Sequence, residues 1–183
     1  MPARAQLLET ASRLFYTDGI GATGVDAVVR AAGVSKPTLY AHFGSKADLV
    51  AAVLTARHER RAEELEAWVR REPDPRRRPL AVFGYLERFY AREGARGCAF
   101  LNAAAELRHD DDVARRAIVA EKAWLLGLLA RLCEEAGVSE PERVASQLLL
   151  LVDGIGGRVV VHGSAAAPGA IADAEAAAAR ILA

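Results

Sequence analysis

The pattern of hydrophobic and polar positions along this chain predicts helices almost throughout. Apolar residues recur at the 3.6-residue spacing of a helix with one buried face, and no stretch keeps the period-two alternation of a strand. Nine or so helices are predicted, over residues 3–18, 25–32, 36–43, 46–71, 80–92, 97–107, 111–136, 140–162 and 170–182, with a linker rich in Pro and Arg at 73–79. The sequence therefore predicts an all-α fold.

Residues 25–43, with the sequence VDAVVRAAGVSKPTLYAHF, are typical of a helix-turn-helix. Val28 and Val29 are predicted to face inward, and Gly33 stands where a left-handed residue ends the first helix. Ser35 is a good N-cap for the second helix, and Pro37 falls in its first turn, where proline loses no helical hydrogen bond. Two short helices joined by a tight turn are therefore expected.

The second of these helices is predicted to present a polar face. Its Leu39 and Phe43 stand at positions i and i+4 and share the core face. The residues off that face are polar or aromatic: Lys36, Thr38, Tyr40 and His42. In a helix-turn-helix the second helix enters the DNA major groove, so the pattern favours a DNA-binding protein.

The first fifty or so residues resemble the DNA-binding domain of the TetR family of bacterial transcriptional repressors. The resemblance is carried by ARAQLLETASRLFYTDGI and by TGVDAVVRAAGVSKPTLYAHFGSKADLVAAVL, within which AAGVSKPTLYAHFGSK is the most specific part. It implies an N-terminal three-helix helix-turn-helix domain over residues 1–48. It also implies a larger helical domain over 49–183 that dimerises and usually holds a small-molecule pocket.

The resemblance places the recognition helix at the groove and implies which residues touch DNA. Lys36, Pro37 and Thr38 are expected to read bases, with Tyr40 and His42 nearer the phosphates. Helix N-termini beginning near Thr23 and Lys46 are expected to meet phosphate through backbone N–H groups. The complete predicted set is Thr23, Ser35, Lys36, Pro37, Thr38, Tyr40, His42 and Lys46.

The helix predicted at 140–162 contains LLLLVDGIGGRVVV and is apolar almost all round. Such a helix must be covered on more than one side, and its glycines permit another helix to approach closely. As in TetR relatives, we expect a homodimer in which this helix and the last helix of each protomer together form a four-helix interface. The predicted interface residues are Leu149, Val152, Gly156, Gly157, Val160, Ala174, Ala178 and Ile181. The alternative is that both helices pack only on their own core.

Aromatic residues crowd the middle of the chain and suggest a pocket for a small-molecule effector. The segment RGCAFLNAAAEL is similar to one that starts the helix below the pocket in some TetR regulatory domains. The candidate lining residues are Phe83, Leu86, Phe89, Phe100, Asn102, Glu106 and Trp124. Asn102 and Glu106 could hold a polar ligand group or be hydrogen-bonded in an ordinary core, and aromatics at helical spacing are more often core than pocket.

Composition narrows the classes of protein to which the chain could belong. The 183 residues carry 24 Lys and Arg against 24 Asp and Glu, so the formal net charge is zero and any basic DNA-binding face must be local. Cys98 and Cys133 make no disulfide framework, which favours a cytoplasmic protein with buried thiols over a redox sensor. Neither a membrane span nor a signal peptide is predicted. The run HDDD at 109–112 favours the start of a helix over a metal site, so neither a metal nor a cofactor is expected.

The sequence favours a ligand-responsive repressor that binds a palindromic operator as a dimer and is released by a small molecule. An all-α enzyme is one alternative, but no Gly-rich phosphate loop, HExxH, GxSxG or convincing catalytic triad is present. A helical protein-interaction module without DNA binding is the other, and the zero net charge is its main support. The sequence gives neither the effector nor the operator, and it does not separate repression from activation.

Overall fold

A computed structural model describes residues 2–107 and 112–183. Its helices follow one another with short connections. They are α1 (Ala3–Thr17), α2 (Val25–Ala32), α3 (Lys36–His42), α4 (Lys46–Val69), α5 (Arg78–Arg92), α6 (Ala99–Glu106), α7 (Asp112–Glu135), α8 (Pro141–His162) and α9 (Ala167–Leu182). Short 3₁₀ helices, Pro75–Arg77 and Ser164–Ala166, precede α5 and α9. The described residues include no β-strand, so the predicted all-α class is confirmed.

The chain divides into two compact units. The first contains the residues up to Arg60 together with Ala99–Glu121, and the second contains Arg61–Cys98 and Lys122–Ala183. These units are defined by the contacts within the chain, whereas the predicted limits 1–48 and 49–183 separate a DNA-binding part from a ligand-binding and dimerisation part. The functional division therefore stays a prediction.

Each unit has its own apolar core. In the first unit α1 buries Leu7 and Ala11 completely, and Leu39 of α3 is fully buried as well. In the second unit one cluster joins side chains of α4, α5, α7, α8 and α9, among them Leu65, Phe83 and Leu129. Burying large apolar side chains contributes roughly 1.5–3 kcal/mol each, which stabilises short helices that would be marginal alone.

The predicted linker at 73–79 is partly wrong, because the helix of this region begins earlier. Asp74 caps the 3₁₀ helix by accepting a hydrogen bond from the backbone N–H of Arg76 at 3.0 Å. Pro75 and Pro79 both stand in first turns, where a missing N–H loses no helical hydrogen bond. Two prolines that read as helix breakers are therefore helix starters here.

Helix α8 passes the length and composition test for a membrane span. An 18-residue window within Pro141–His162 has a mean hydropathy of 1.6, and 39% of it is buried. The core helix of a soluble protein passes the same test, so this is weak evidence for a span. Leu148 and Val152 of α8 belong to the core of the second unit.

Candidate DNA-binding site

The turn between α2 and α3 is set by backbone geometry that only a few residues adopt readily. Gly33 ends α2 with φ of 65° and ψ of 30°, the left-handed conformation that glycine tolerates best. The N–H of Val34 then donates to the carbonyl of Val29 at 3.1 Å, which completes the closing turn of the helix. Val28 and Ala32 are buried behind this turn, so the inward face predicted for α2 is the observed one.

Helix α3 begins with the predicted cap. The Oγ of Ser35 accepts a hydrogen bond from the backbone N–H of Thr38 at 3.2 Å, and the two hydroxyl oxygens lie 2.7 Å apart. Pro37 occupies the first turn, and the backbone N–H of Phe43 donates to Leu39 at the other end. The helix is seven residues long, so its orientation depends on the buried Leu39 and Phe43.

The face of α3 opposite Leu39 is open. Ser35, Lys36, Pro37 and His42 are exposed, Thr38 is half-buried, and Tyr40 is 44% exposed. The structure thus brings six of the eight predicted DNA-binding residues onto one short segment. Amino, hydroxyl, phenol and imidazole groups there can donate hydrogen bonds to base edges and phosphates.

An acidic partner holds the lysine of this face. The Nζ of Lys36 lies 2.9 Å from Oδ1 of Asp26 in α2. The hydrogen bond and the charge of Asp26 raise the pKa of Lys36 above its usual value. Sequence analysis missed Asp26, because the pair joins two helices and leaves no periodic signal.

The other two predicted DNA-binding residues are placed differently from the expectation. Gly24 caps α2 instead of Thr23. Thr23 is only 3% exposed, its hydroxyl donates to the carbonyl of Gly19 at 2.7 Å, and its backbone N–H donates to the same carbonyl. Both donors of Thr23 serve the turn after α1, so a phosphate contact by Thr23 would require these bonds to be exchanged.

Lys46 also has a role inside the first unit. Its Nζ donates to the carbonyl of Ile20 at 2.6 Å and is partly buried. An ammonium group has three donors, so Lys46 can hold this turn and still present charge at the start of α4. Its phosphate contact stays a prediction.

The residues predicted for the dimer interface divide into two sets. Val152, Gly156, Ala174 and Ala178 are buried within the chain itself. A Cβ atom on Gly156 would lie 3.1 Å from the Cβ of Cys98, so this glycine serves close packing inside the chain. These four positions offer little surface to a partner in the single chain, and the interface itself stays a prediction. Leu149, Gly157, Val160 and Ile181 are at least partly exposed.

The predicted pocket residues are divided between the two units. Phe100, Asn102 and Glu106 belong to the first unit, and Phe83, Leu86, Phe89 and Trp124 to the second. Phe83, Leu86 and Phe100 are buried in apolar cores, which favours the alternative of ordinary core packing. Glu106 is exposed, and its carboxylate accepts the backbone N–H of Gly21 at 2.8 Å. Glu106 therefore holds the loop after α1.

Within the described residues, no group of three or more His, Cys, Asp or Glu side chains could hold a metal ion. His109, Asp110 and Asp111, from the run considered for metal binding, lie outside the described residues. Cys133 is buried and Cys98 is partly buried. Burial raises the pKa of the Cys133 thiol to about 11.

Comparison with known proteins supports a DNA-binding function for this site. A family model described as bacterial regulatory proteins, tetR family, matches residues 7–53, which contain α2 and α3. The transcriptional activator FasR of Mycolicibacterium smegmatis is 41% identical over 88 residues, which cover 46% of this chain and 40% of FasR. The transcriptional regulator TtgR of Pseudomonas putida is 43% identical over 56 residues, covering 31% of this chain and 27% of TtgR. The chain thus matches less than half the length of these curated relatives.

Solved structures match nearly the whole chain. A TetR-family transcriptional regulator from Streptomyces coelicolor has a TM-score of 0.87 and 30% identity, covering 98% of this chain and 94% of its own. A TetR-type regulator from Streptomyces avermitilis has a TM-score of 0.77 and 32% identity, covering 98% and 99%. The regulator CifR, solved with a 26-base-pair operator DNA, shares the fold at 21% identity and a TM-score of 0.78, covering 98% and 95%. The chain belongs to the TetR family of transcriptional regulators, which are not enzymes, and carries that family's helix-turn-helix DNA-binding domain.

Proposed function

We propose that this regulator is a ligand-responsive repressor that binds a palindromic operator as a homodimer and leaves it when a small molecule binds. The observation that carries the proposal is the open face of α3, where Lys36, Pro37, Tyr40 and His42 are exposed while Leu39 is fully buried. A helix with this division can enter the major groove without losing its packing. CifR, which has the same fold, was solved on operator DNA.

The DNA-binding part is tested by a gel shift on the DNA upstream of the protein's own gene, with a scrambled duplex of equal length and composition. We expect a discrete shifted band on the natural fragment at protein concentrations that leave the scrambled duplex free. Lys36→Ala, which removes one cation from the open face of α3, is expected to weaken the shift of the natural fragment. Equal binding of both duplexes by the natural protein would contradict operator recognition.

The proposal of a homodimer is supported by an apolar stripe on α8. Leu150 is 70% exposed and Val161 is 73% exposed, which is unusual for large apolar side chains on one helix. Gly154 and Gly157 lie between them, and a Cβ atom added at either glycine would meet no atom within 4 Å. These four residues are spaced i, i+4, i+7 and i+11, so they share one helix face. A second copy packed on this stripe would bury it and give the complex two recognition helices, one for each half of a palindromic operator.

The response to a ligand and the direction of regulation need separate tests. A thermal-shift screen of small molecules would find ligands, and each would then be added to the gel shift, where we expect release of the DNA. A reporter gene placed behind the bound fragment decides between repression and activation. FasR is described as an activator. Higher reporter output with the protein present would therefore show activation instead of repression, and the DNA-binding function would still stand.

A further inference from the structure

A cleft of about 250 Å³ lies between the C-terminal part of α4 and α5, within the second unit. Pockets for drug-sized ligands occupy roughly 300–1,000 Å³, so this cleft suits a smaller molecule. Of the residues predicted to line an effector pocket, only Phe89 lines this cleft. It is therefore a different site from the one that the sequence suggested.

Three arginines surround the cleft: Arg71, Arg88 and Arg92. Within the described part of the chain, none of the three forms an ion pair or a side-chain hydrogen bond. Arginines nearby in the sequence behave differently. Arg70 pairs with Glu66 and Arg78 pairs with Glu135. The guanidinium donors around the cleft are therefore available to an anion.

Two of these guanidinium groups are positioned by an aromatic ring. Arg71 and Arg88 stand over Trp68, with 5.7 Å and 5.9 Å between each guanidinium carbon and the ring centroid. The indole N–H of Trp68 donates to the carbonyl of Ala81 at 3.0 Å, which fixes the ring. A guanidinium group over an aromatic face keeps its N–H edges directed outward, where they can bind a carboxylate in two places.

The cleft also offers apolar surface for a ring. Phe89 is partly buried and stacks on Tyr85, with 6.3 Å between the ring centroids. Burial raises the pKa of Tyr85 to about 12, and its hydroxyl donates to Glu64 at 3.4 Å. Glu64 and Glu93 line the cleft as well, but both have partners in the protein. Three guanidinium groups against two carboxylates leave the lining net positive.

We propose that the α4–α5 cleft binds a small aromatic carboxylate, with the carboxylate on Arg88 and Arg92 and the ring against Phe89. Charge-assisted, two-point hydrogen bonding to guanidinium is stronger than neutral hydrogen bonding. Offset ring stacking adds selectivity for a planar molecule. This proposal deepens the proposed function. It rests on that function only where it treats the bound molecule as the effector.

The test is calorimetric titration of the full chain with benzoate, alongside benzamide, cyclohexanecarboxylate and inorganic phosphate. Benzamide keeps the ring and loses the charge, cyclohexanecarboxylate keeps the charge and loses the aromatic face, and phosphate keeps only the charge. We expect benzoate to bind more tightly than each of the three. No heat with benzoate, or equal binding of benzoate and benzamide, would overturn the proposal.

Variants locate the binding. Arg88→Gln is expected to weaken benzoate by about tenfold, the loss typical of a hydrogen bond to a charged group. Arg92→Gln is a second variant, for which we expect the same tenfold loss. Because Arg92 does not stand over Trp68, this variant removes no cation–π contact. Arg76→Gln is the matched control, because Arg76 is exposed, carries the same charge and does not line the cleft. Equal losses in Arg76→Gln and the cleft variants would mean nonspecific attraction and would overturn the site.

A gel shift with benzoate separates this proposal from the proposed function. Binding of benzoate without release of DNA would keep the cleft as a binding site and refute its role as the effector site. DNA binding without any benzoate binding would refute the cleft and leave the regulator's DNA function untouched.

Discussion

Asp26 holds the ammonium group of Lys36 on the open face of α3, and the substitution Asp26→Asn tests what this ion pair does. The two side chains are 76% and 50% exposed and 2.9 Å apart. Exposed pairs of this kind contribute little to folding stability, so the variant is expected to stay folded. Its effect should fall on DNA binding, because the carboxylate neutralises a cation on the open face of α3 and adds a negative charge that DNA phosphates repel.

The magnitude follows from Coulomb's law with screening. A carboxylate about 8 Å from a phosphate in water is repelled by about 0.9 RT before screening. The Debye length is about 8 Å at 0.15 M salt and about 30 Å at 0.01 M. If two copies bind, removing both Asp26 charges should then tighten DNA binding about twofold at 0.15 M salt and about fourfold at 0.01 M.

The assay is fluorescence anisotropy of a labelled operator and of a scrambled duplex, each at both salt concentrations. Phosphate interactions carry no direct sequence information, so Asp26→Asn should tighten both duplexes by similar factors. Glu9→Gln is the control, since Glu9 is exposed on α1 and changes the net charge equally. Equal effects of the two variants would mean that the change in net charge, and not the ion pair, accounts for the tighter binding. Weaker operator binding by Asp26→Asn would refute the reasoning and make Asp26 a residue that orients Lys36 for base contact.

Three further outcomes are expected. Thr38→Ala keeps the backbone N–H that Ser35 caps, so it should change preference at one or two base pairs by roughly 1–3 kcal/mol each, as measured on single-base operator variants; uniform weakening would exclude base readout. Gly157→Leu meets open space within its own chain, so it should leave the protomer folded and yield monomers in sedimentation, whereas Gly127→Leu on α7, also open, should leave dimers. Cys133 has a pKa raised to about 11, so at pH 8 it holds little thiolate and should resist alkylation until the protein unfolds; rapid alkylation of Cys133 itself in the native protein would contradict its burial.

The helix-turn-helix was predictable in detail because its signals are local. Gly33 was predicted to end α2 and has a left-handed backbone, and Ser35 was predicted to cap α3 and accepts the expected hydrogen bond. Each of these choices depends on residues no more than a few positions away. A single sequence contains that information without any knowledge of the tertiary fold.

The contacts that the sequence did not reveal join residues far apart in the chain. Glu106 accepts the N–H of Gly21 across 85 positions, and fully buried Glu121 lies 2.5 Å from Nδ1 of His58 across 63 positions. A carboxylate on a helix reads as a solvated surface residue until its partner is known. The sequence left two roles open for Glu106, in a pocket or in the core. In the structure its carboxylate is exposed and accepts the backbone N–H of Gly21.

Gly156 and Gly157 show why composition alone left the role of α8 open. They are adjacent, so they point about 100° apart around the helix. A Cβ atom on Gly156 would lie 3.1 Å from Cys98 and 3.4 Å from the hydroxyl of Tyr90, whereas one on Gly157 would meet nothing within 4 Å. The sequence posed core packing and a dimer interface as alternatives for the whole helix, yet a helix apolar on all sides can serve both. The face with Gly156 packs on its own chain, and the face with Gly157 is the one on which a partner could dock.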